Sequence, residues 1–367
     1  MAAMAALTLS ACGSLHYYGQ AVRGQAALIL HRRGIEAVVA DPAVAPGVAR
    51  RLQLALRARH FASSALGLPD NRSYTTYVDL HRPYVVWNVF ATRPYSVEAL
   101  PQCFPIAGCV AYRGWFSESA AQADAARLRA RGDDVWVGGV AAYSTLGWFA
   151  DPILSSMLRG SDEQLIGTIF HELAHQLIYV PGDTTFNESF ASFVQAEGLR
   201  QWRTAQGLPE QTSCTAAHEQ AFTRLVLDLR ERLKALYASA AEPASLGTMK
   251  QAEFAAFRER YARWRNPRWP DTQTYDAWVA APLNNARLVP FGLYSRWVPA
   301  FAQLFARDGG DWSRFYARVR TLAAAAKPQR DRQLQALLPA ADPIHPSTCT
   351  EPQPQAVVKL NTPVHRH

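Results

Sequence analysis

After its first dozen positions the sequence has no uninterrupted apolar run of about 18 residues, the length a helix needs to cross a bilayer. No membrane-spanning helix is therefore expected from there on. Lysine is nearly absent: four stand among 38 basic side chains, and the others are arginine. The formal net charge is +8, yet the basic residues are scattered and form no run alternating with aromatics. Nucleic acid is accordingly not expected as a partner. No internal repeat is present, which excludes a stacked array of small units. Cysteine is scarce, five in all, and no C-x-x-C pair occurs, so zinc ligation by cysteine is not expected. A chain of 367 residues fits one large domain or two closely packed halves.

What the chain does contain is HELAH, His171 to His175, inside SDEQLIGTIFHELAHQLIYV. Ser161 with Gln164 three residues on has the form of a capping box and predicts a helix start. Ile166, Ile169, Phe170, Leu173 and Leu177 recur at helical spacing, with Leu165, Ala174 and Ile178 beside them. Such a helix is buried on most of its surface. Two imidazoles in so apolar a helix need partners, because unpaired buried polar groups cost stability. His171 and His175 leave the same face one turn apart, which lets both reach one zinc ion. Glu172 beside them is placed to hold a water on that ion and take its proton.

A catalytic zinc requires a third ligand. FNESFASFVQAEG follows, with Phe186, Phe190, Phe193 and Val194 on an apolar helical face and Glu188 in its first turn. Joined through VPGDTT, an antiparallel helix pair would carry Glu188 towards the histidine face. Two histidines, one glutamate and an open position make a hydrolytic site holding one Zn2+ per chain. Thr185 with Glu188 also fits a capping box, a purely structural use of the same glutamate.

HELAH followed by NESFASFV resembles the HExxH and N-E-x-F-A pattern of gluzincin metallopeptidases, notably aminopeptidases. More widely, the chain resembles a bacterial family of predicted aminopeptidases that are lipoproteins. The stretches that carry this are GLPDNRSYTTYVDLHRPYVVWNVFA, CFPIAGCVAYRGWF, AAYSTLGWFADPILS, HELAHQLIYVPGDTTFNESFA and LNNARL, within residues 16 to 320. The resemblance implies a zincin-like α+β fold and hydrolysis of peptides. In the gluzincin aminopeptidases a glutamate on the strand before the zinc helix binds the substrate's free amine. Here GGVAAYSTLG has no acid, which leaves endopeptidase action open beside aminopeptidase action.

The first residues, MAAMAALTLSACGS, end an apolar run with Leu9-Ser10-Ala11-Cys12, the form of a lipobox. The run is too short to span a bilayer and reads as a signal segment over 1–11, although it lacks a basic start. Cleavage would leave Cys12 as a lipidated N-terminus on an exported, membrane-anchored protein of the bacterial envelope. In an oxidising compartment Cys103 with Cys109 would close a small loop, and Cys214 with Cys349 would tie the helical region to the tail. The sequence leaves the pairing open.

Taken in order, residues 12–160 read as an N-terminal region of helices and sheet. SYTTYVDLHRPYVVWNVFATRPYS, VAYRGWF and DDVWVGGVAAYSTLG have strand composition, and SESAAQADAARLRARG is a helix closed by Gly132. Gly138 and Gly139 either let a substrate strand lie close or mark a bulge. Residues 161–327 carry the zinc-site helices and a mostly helical C-terminal region, and 328–367 read as an irregular tail. The expected fold is α+β and zincin-like: a mixed β-sheet forms one wall of a cleft, the HExxH helix its floor, and the helical region the other wall. Tyr294 is the first choice to stabilise an oxyanion and Tyr143 the second, against a core role for each. Asp183 reads either as an acceptor behind a ligand histidine or as a helix cap. The rival to an enzyme is a non-catalytic envelope lipoprotein that keeps the fold for binding.

Overall fold

The computed structural model describes residues 17–104, 108–208, 213–239, 242–265 and 270–338. The chain is α+β, with helices predominating over three small sheets. Helix α1 covers residues 17–30. A short strand β1 (Arg33–Gly34) and helix α2 (Ile35–Val39) follow, then α3 (Pro46–Ser64), which has proline in its first turn.

The strand-rich stretch after α3 does not form one sheet. It is broken at Asp79–Pro83, where His81 takes a positive φ of 51°. The part before the break, β2 (Thr76–Val78), pairs antiparallel with β1 and parallel with β8 (Ile153–Leu154). The part after it, β3 (Val86–Thr92), is the centre of a second, antiparallel sheet between β6 (Tyr112–Trp115) and β7 (Asp134–Val140). A third pair, β4 (Gln102–Phe104) with β5 (Gly108–Val110), is a hairpin closed by the Cys103–Cys109 disulfide. The strands of the described residues thus form three small sheets, of which the one built from β1, β2 and β8 is mixed. The other expected cysteine pair involves Cys349, which lies outside the described residues with Cys12, and Cys214, whose side chain is not described.

Every residue of β3 is buried. Trp87, Val89 and Ala91 pack on helix α4 (Glu118–Ala130), while Phe90 on the other face packs against Tyr112 and Trp136. Burial on both faces explains why VWNVFA shows no apolar alternation. Asn88 is the polar residue within VWNVFA, and it lines the cavity described below.

Helix α5 (Asp162–Leu177) carries HELAH and starts with the expected capping box: Ser161 Oγ accepts from Gln164 N, and Gln164 Oε1 accepts from Ser161 N. Helix α6 (Thr184–Ala205) runs back along it. Gly167 faces Leu199 and Gln195, whereas Phe170 faces Gly198 and His171 faces Glu188, the order of an antiparallel pair. A Cβ on Gly198 would sit 2.9 Å from the Phe170 ring, so the glycine sets how closely the helices approach.

Helices α7 (Ser213–Tyr237), α8 (Pro243–Trp264) and α9 (Asp276–Ala280) enclose a cluster of their own around Phe222, Phe254 and Phe257. Helix α10 (Asn285–Tyr294) joins that cluster to the β3 sheet. Helices α11 (Val298–Arg307) and α12 (Trp312–Ala324) pack Phe301 and Phe315 against Phe186 and Phe190 of α6. The largest core cluster draws residues from Leu28 to Leu334, so the two regions separated in the sequence share one interior. The beginning of the supposed irregular tail is helical, α13 (Lys327–Gln335), with Pro328 in its first turn and Arg330 and Leu334 buried.

Candidate metal centre

Helix α5 holds His171 and His175 on one face, and their Nε2 atoms are 3.1 Å apart. Glu188 Oε2 lies 3.2 Å from His171 Nε2 and 3.5 Å from His175 Nε2. All three side chains are buried, and they are the one such group of potential metal ligands among the described residues. Zinc bonds of about 2.0–2.1 Å in tetrahedral geometry place neighbouring ligand atoms about 3.3 Å apart. The three observed separations bracket that spacing, so this donor set fits zinc.

Electrostatics agree with the geometry. Burial pushes the Glu188 carboxyl up, but the two imidazoles beside it prevail and hold it well below the usual carboxylate range. Burial likewise works against charge on His175, and Glu188 outweighs it and raises the ring above its ordinary value. The site therefore favours positive charge at the point where the three atoms converge.

Glu188 is not a helix cap. Asp183 takes that place: its Oδ1 accepts from Phe186 N, and Asp183 also pairs with Arg330 at 2.7 Å and Lys327 at 3.2 Å. Both oxygens of Asp183 thus bond to groups other than the two histidines, in the arrangement of the helix cap that was the other reading. The Nδ1 atoms of His171 and His175 are buried and have no hydrogen-bond partner among the described residues. Asn187, the other half of the N-E pair, clamps the loop between the helices. Its amide donates to Val180 O at 2.9 Å and its carbonyl accepts from Val180 N at 2.8 Å.

The three ligands open on a cavity of about 290 Å³. Glu172 lines it and is only partly buried. Burial raises its carboxyl, the imidazoles of His171 and His175 oppose the rise, Glu188 adds to it, and a hydrogen bond from Ser144 opposes it. Tyr294 also lines the cavity, its ring 6.0 Å from that of His171. Burial first, and the charge of Glu188 next, hold its phenol well above the ordinary value, so it stays a proton donor. Tyr143 is in the wall as well, packed edge-on against Phe116.

Gly138 and Gly139 are in β7 opposite Asn88 and Trp87, but the cavity wall begins after them, at Val140, Ala142, Tyr143 and Ser144. What approaches the two glycines is the ring of Trp136 and the ring of Tyr84. Several wall residues carry no signal in the sequence. Ser144, Tyr112 and Tyr179 line the cavity, as does Asn88 from the centre of the sheet. The one pattern that could have shown Tyr112 is its period-two relation with Gly114, both of which face the cavity. The disulfide hairpin contributes Phe104 and Val110, and its Gly108 lies against Gly182 in the loop joining α5 to α6.

The family described as "Putative aminopeptidase" matches residues 16–334, which include His171, Glu172, His175 and Glu188. No curated protein and no solved structure matches the chain. With most of its length covered, from the first described helix to the last, the chain belongs to this aminopeptidase family.

Proposed function

We propose that the protein is a zinc-dependent aminopeptidase that hydrolyses short peptides, on a zincin-like fold. The observation that carries this is the ligand triangle of 3.1, 3.2 and 3.5 Å with Glu172 beside it in the same cavity. His171, His175 and Glu188 would hold the metal. Zinc bound there supplies Lewis acidity that polarises a carbonyl and acidifies water at neutral pH. Glu172 accepts the proton from the attacking water and delivers it to the leaving amine. Tyr294 donates its hydroxyl to the oxygen on which negative charge develops.

The size of the cavity favours the end of a peptide over the middle of a long chain, since about 290 Å³ is at the small end for ligand sites. Among the lining residues no acid is present besides Glu172 and Glu188. A neutral polar group, Asn88, would therefore meet the free amine. Export and anchoring at Cys12 belong to the same reading, supported by the Leu9–Cys12 pattern and by a disulfide of the kind formed in oxidising compartments.

Metal analysis combined with assays on free and amine-blocked peptides tests the proposal. Wild type and Glu172→Gln are expected to hold one zinc ion each, with hydrolysis by the variant reduced about 10²–10⁴-fold. Equal rates on blocked and free peptides would replace aminopeptidase action with endopeptidase action. Zinc-loaded protein that cleaves no peptide would leave a binding protein instead.

A further inference from the structure

The two sides of helix α1 differ in what they do. Its inner side is packed. Tyr17 stacks edge-on against Trp115 at 5.2 Å, Gln20 accepts a hydrogen bond from Phe116 N at 2.9 Å, and Leu28 is part of the main core. Its outer side carries Tyr18, Val22, Ala26 and Leu30 at four-residue steps, all exposed. Val22 is 69 % and Leu30 79 % exposed, high values for apolar side chains that follow one another along one helix face.

A second exposed apolar pair lies beside the end of this helix. Trp148 is 69 % and Phe149 49 % exposed. Arg32, two residues past α1, donates to Ala150 O at 2.9 Å and so ties that turn to the helix end. Charge adds a direction. The first acidic residue of the sequence is Glu36, whereas Arg23, Arg32 and Arg33 precede it, Arg33 being paired with Asp41 at 2.9 Å. An amphipathic helix with an apolar stripe and basic flanks is suited to lie in the interface of an anionic bilayer.

We propose that the outer face of α1, together with the Trp148–Phe149 turn, docks on an anionic lipid bilayer. Cys12 stands five residues before Tyr17, a reach of at most about 18 Å, so a lipid on Cys12 and this face would engage the same membrane. Tyr17 and Ala21 on the inner side of α1, and Leu146 in the loop that leads to Trp148, line the metal-site cavity. Docking therefore brings the cavity close to the headgroups. The inference stands apart from the metallopeptidase reading, because membrane binding is measured without activity.

The test is flotation of the full chain carrying Cys12→Ser, which removes the lipid, with vesicles of phosphatidylglycerol and phosphatidylethanolamine. The protein is expected to float with them, and Val22→Asp with Leu30→Asp to weaken binding at least tenfold. Trp148→Ser with Phe149→Ser should weaken it in the same direction. Met249→Asp, at an exposed apolar residue on α8, should leave binding unchanged. All variants should keep the thermal melting of the parent, since the substituted side chains are exposed. A parent that does not float, a Val22→Asp/Leu30→Asp protein that floats equally well, or an equal loss in Met249→Asp would overturn the proposal.

Discussion

Glu188→Gln gives a sharp test of the metal centre because it keeps the size of the third ligand and removes its charge. The carboxylate touches both imidazoles, at 3.2 and 3.5 Å, and is buried with them. Zinc that binds the folded chain alone stabilises it by RT ln(1 + [Zn]/Kd), about 2.7 kcal/mol when free zinc is 100 times Kd. In a large chain about 2 °C of melting temperature accompanies each kcal/mol, so chelator-treated wild type should gain about 5 °C. A hundredfold weaker site in the variant would make the same zinc concentration equal to Kd. Its stabilisation would then fall to about 0.4 kcal/mol, less than 1 °C. Scanning calorimetry at buffered free zinc reads both numbers. Equal zinc-dependent shifts in wild type and Glu188→Gln would refute the assignment of Glu188 as a ligand.

Three further outcomes follow from the same structure. Arg330→Met leaves Asp183 buried without its principal cation and should cost about 3–5 kcal/mol in urea unfolding, with Asp183→Asn added to it restoring part of the loss. Asp151 is buried, and burial lifts its carboxyl from the ordinary 3.8 to about 6 against the hydrogen bonds from Thr145. The folded chain thus keeps a proton that the unfolded chain releases, so stability falls as pH rises through that window, by about 3 kcal/mol. Asp151→Asn should flatten this slope in unfolding measured between pH 4 and 6. Tyr294→Phe should leave zinc content unchanged while lowering kcat by about 10–10³-fold with little change in KM; a change in KM alone would place Tyr294 in substrate binding.

The two helices of the candidate metal centre were legible because their signals are local. A capping box, a helical period and an i, i+4 pair all lie within Ser161–Leu177, and the structure has each of them. Glu188 was legible for the same reason, since an apolar period begins around it. The wall of the cavity was not, because Asn88, Tyr112 and Ser144 meet only through strand register and the loop that follows β7. The division of the strand-rich stretch between two sheets was hidden by the uniform composition on either side of His81. Helix α13 was missed because its sequence is mostly charged and polar. The reason it is ordered, Arg330 against Asp183, lies 147 residues away. Gly138 and Gly139 were read as a place for a substrate strand or as a bulge, and the rings nearest to them are those of Trp136 and Tyr84.

The Asp183–Arg330 pair also sets a timetable. Asp183 begins the helix that positions Glu188, and its partner is among the last described residues of the chain. A ribosome adding about 5–20 residues per second needs roughly 7–30 s to go from one to the other. During that interval both histidines have been made, but the turn that delivers the third ligand lacks its anchor. A nascent or prematurely terminated chain would therefore present an incomplete triad. If the triad holds zinc as proposed, its third corner would gain this anchor only after residue 330 has been made.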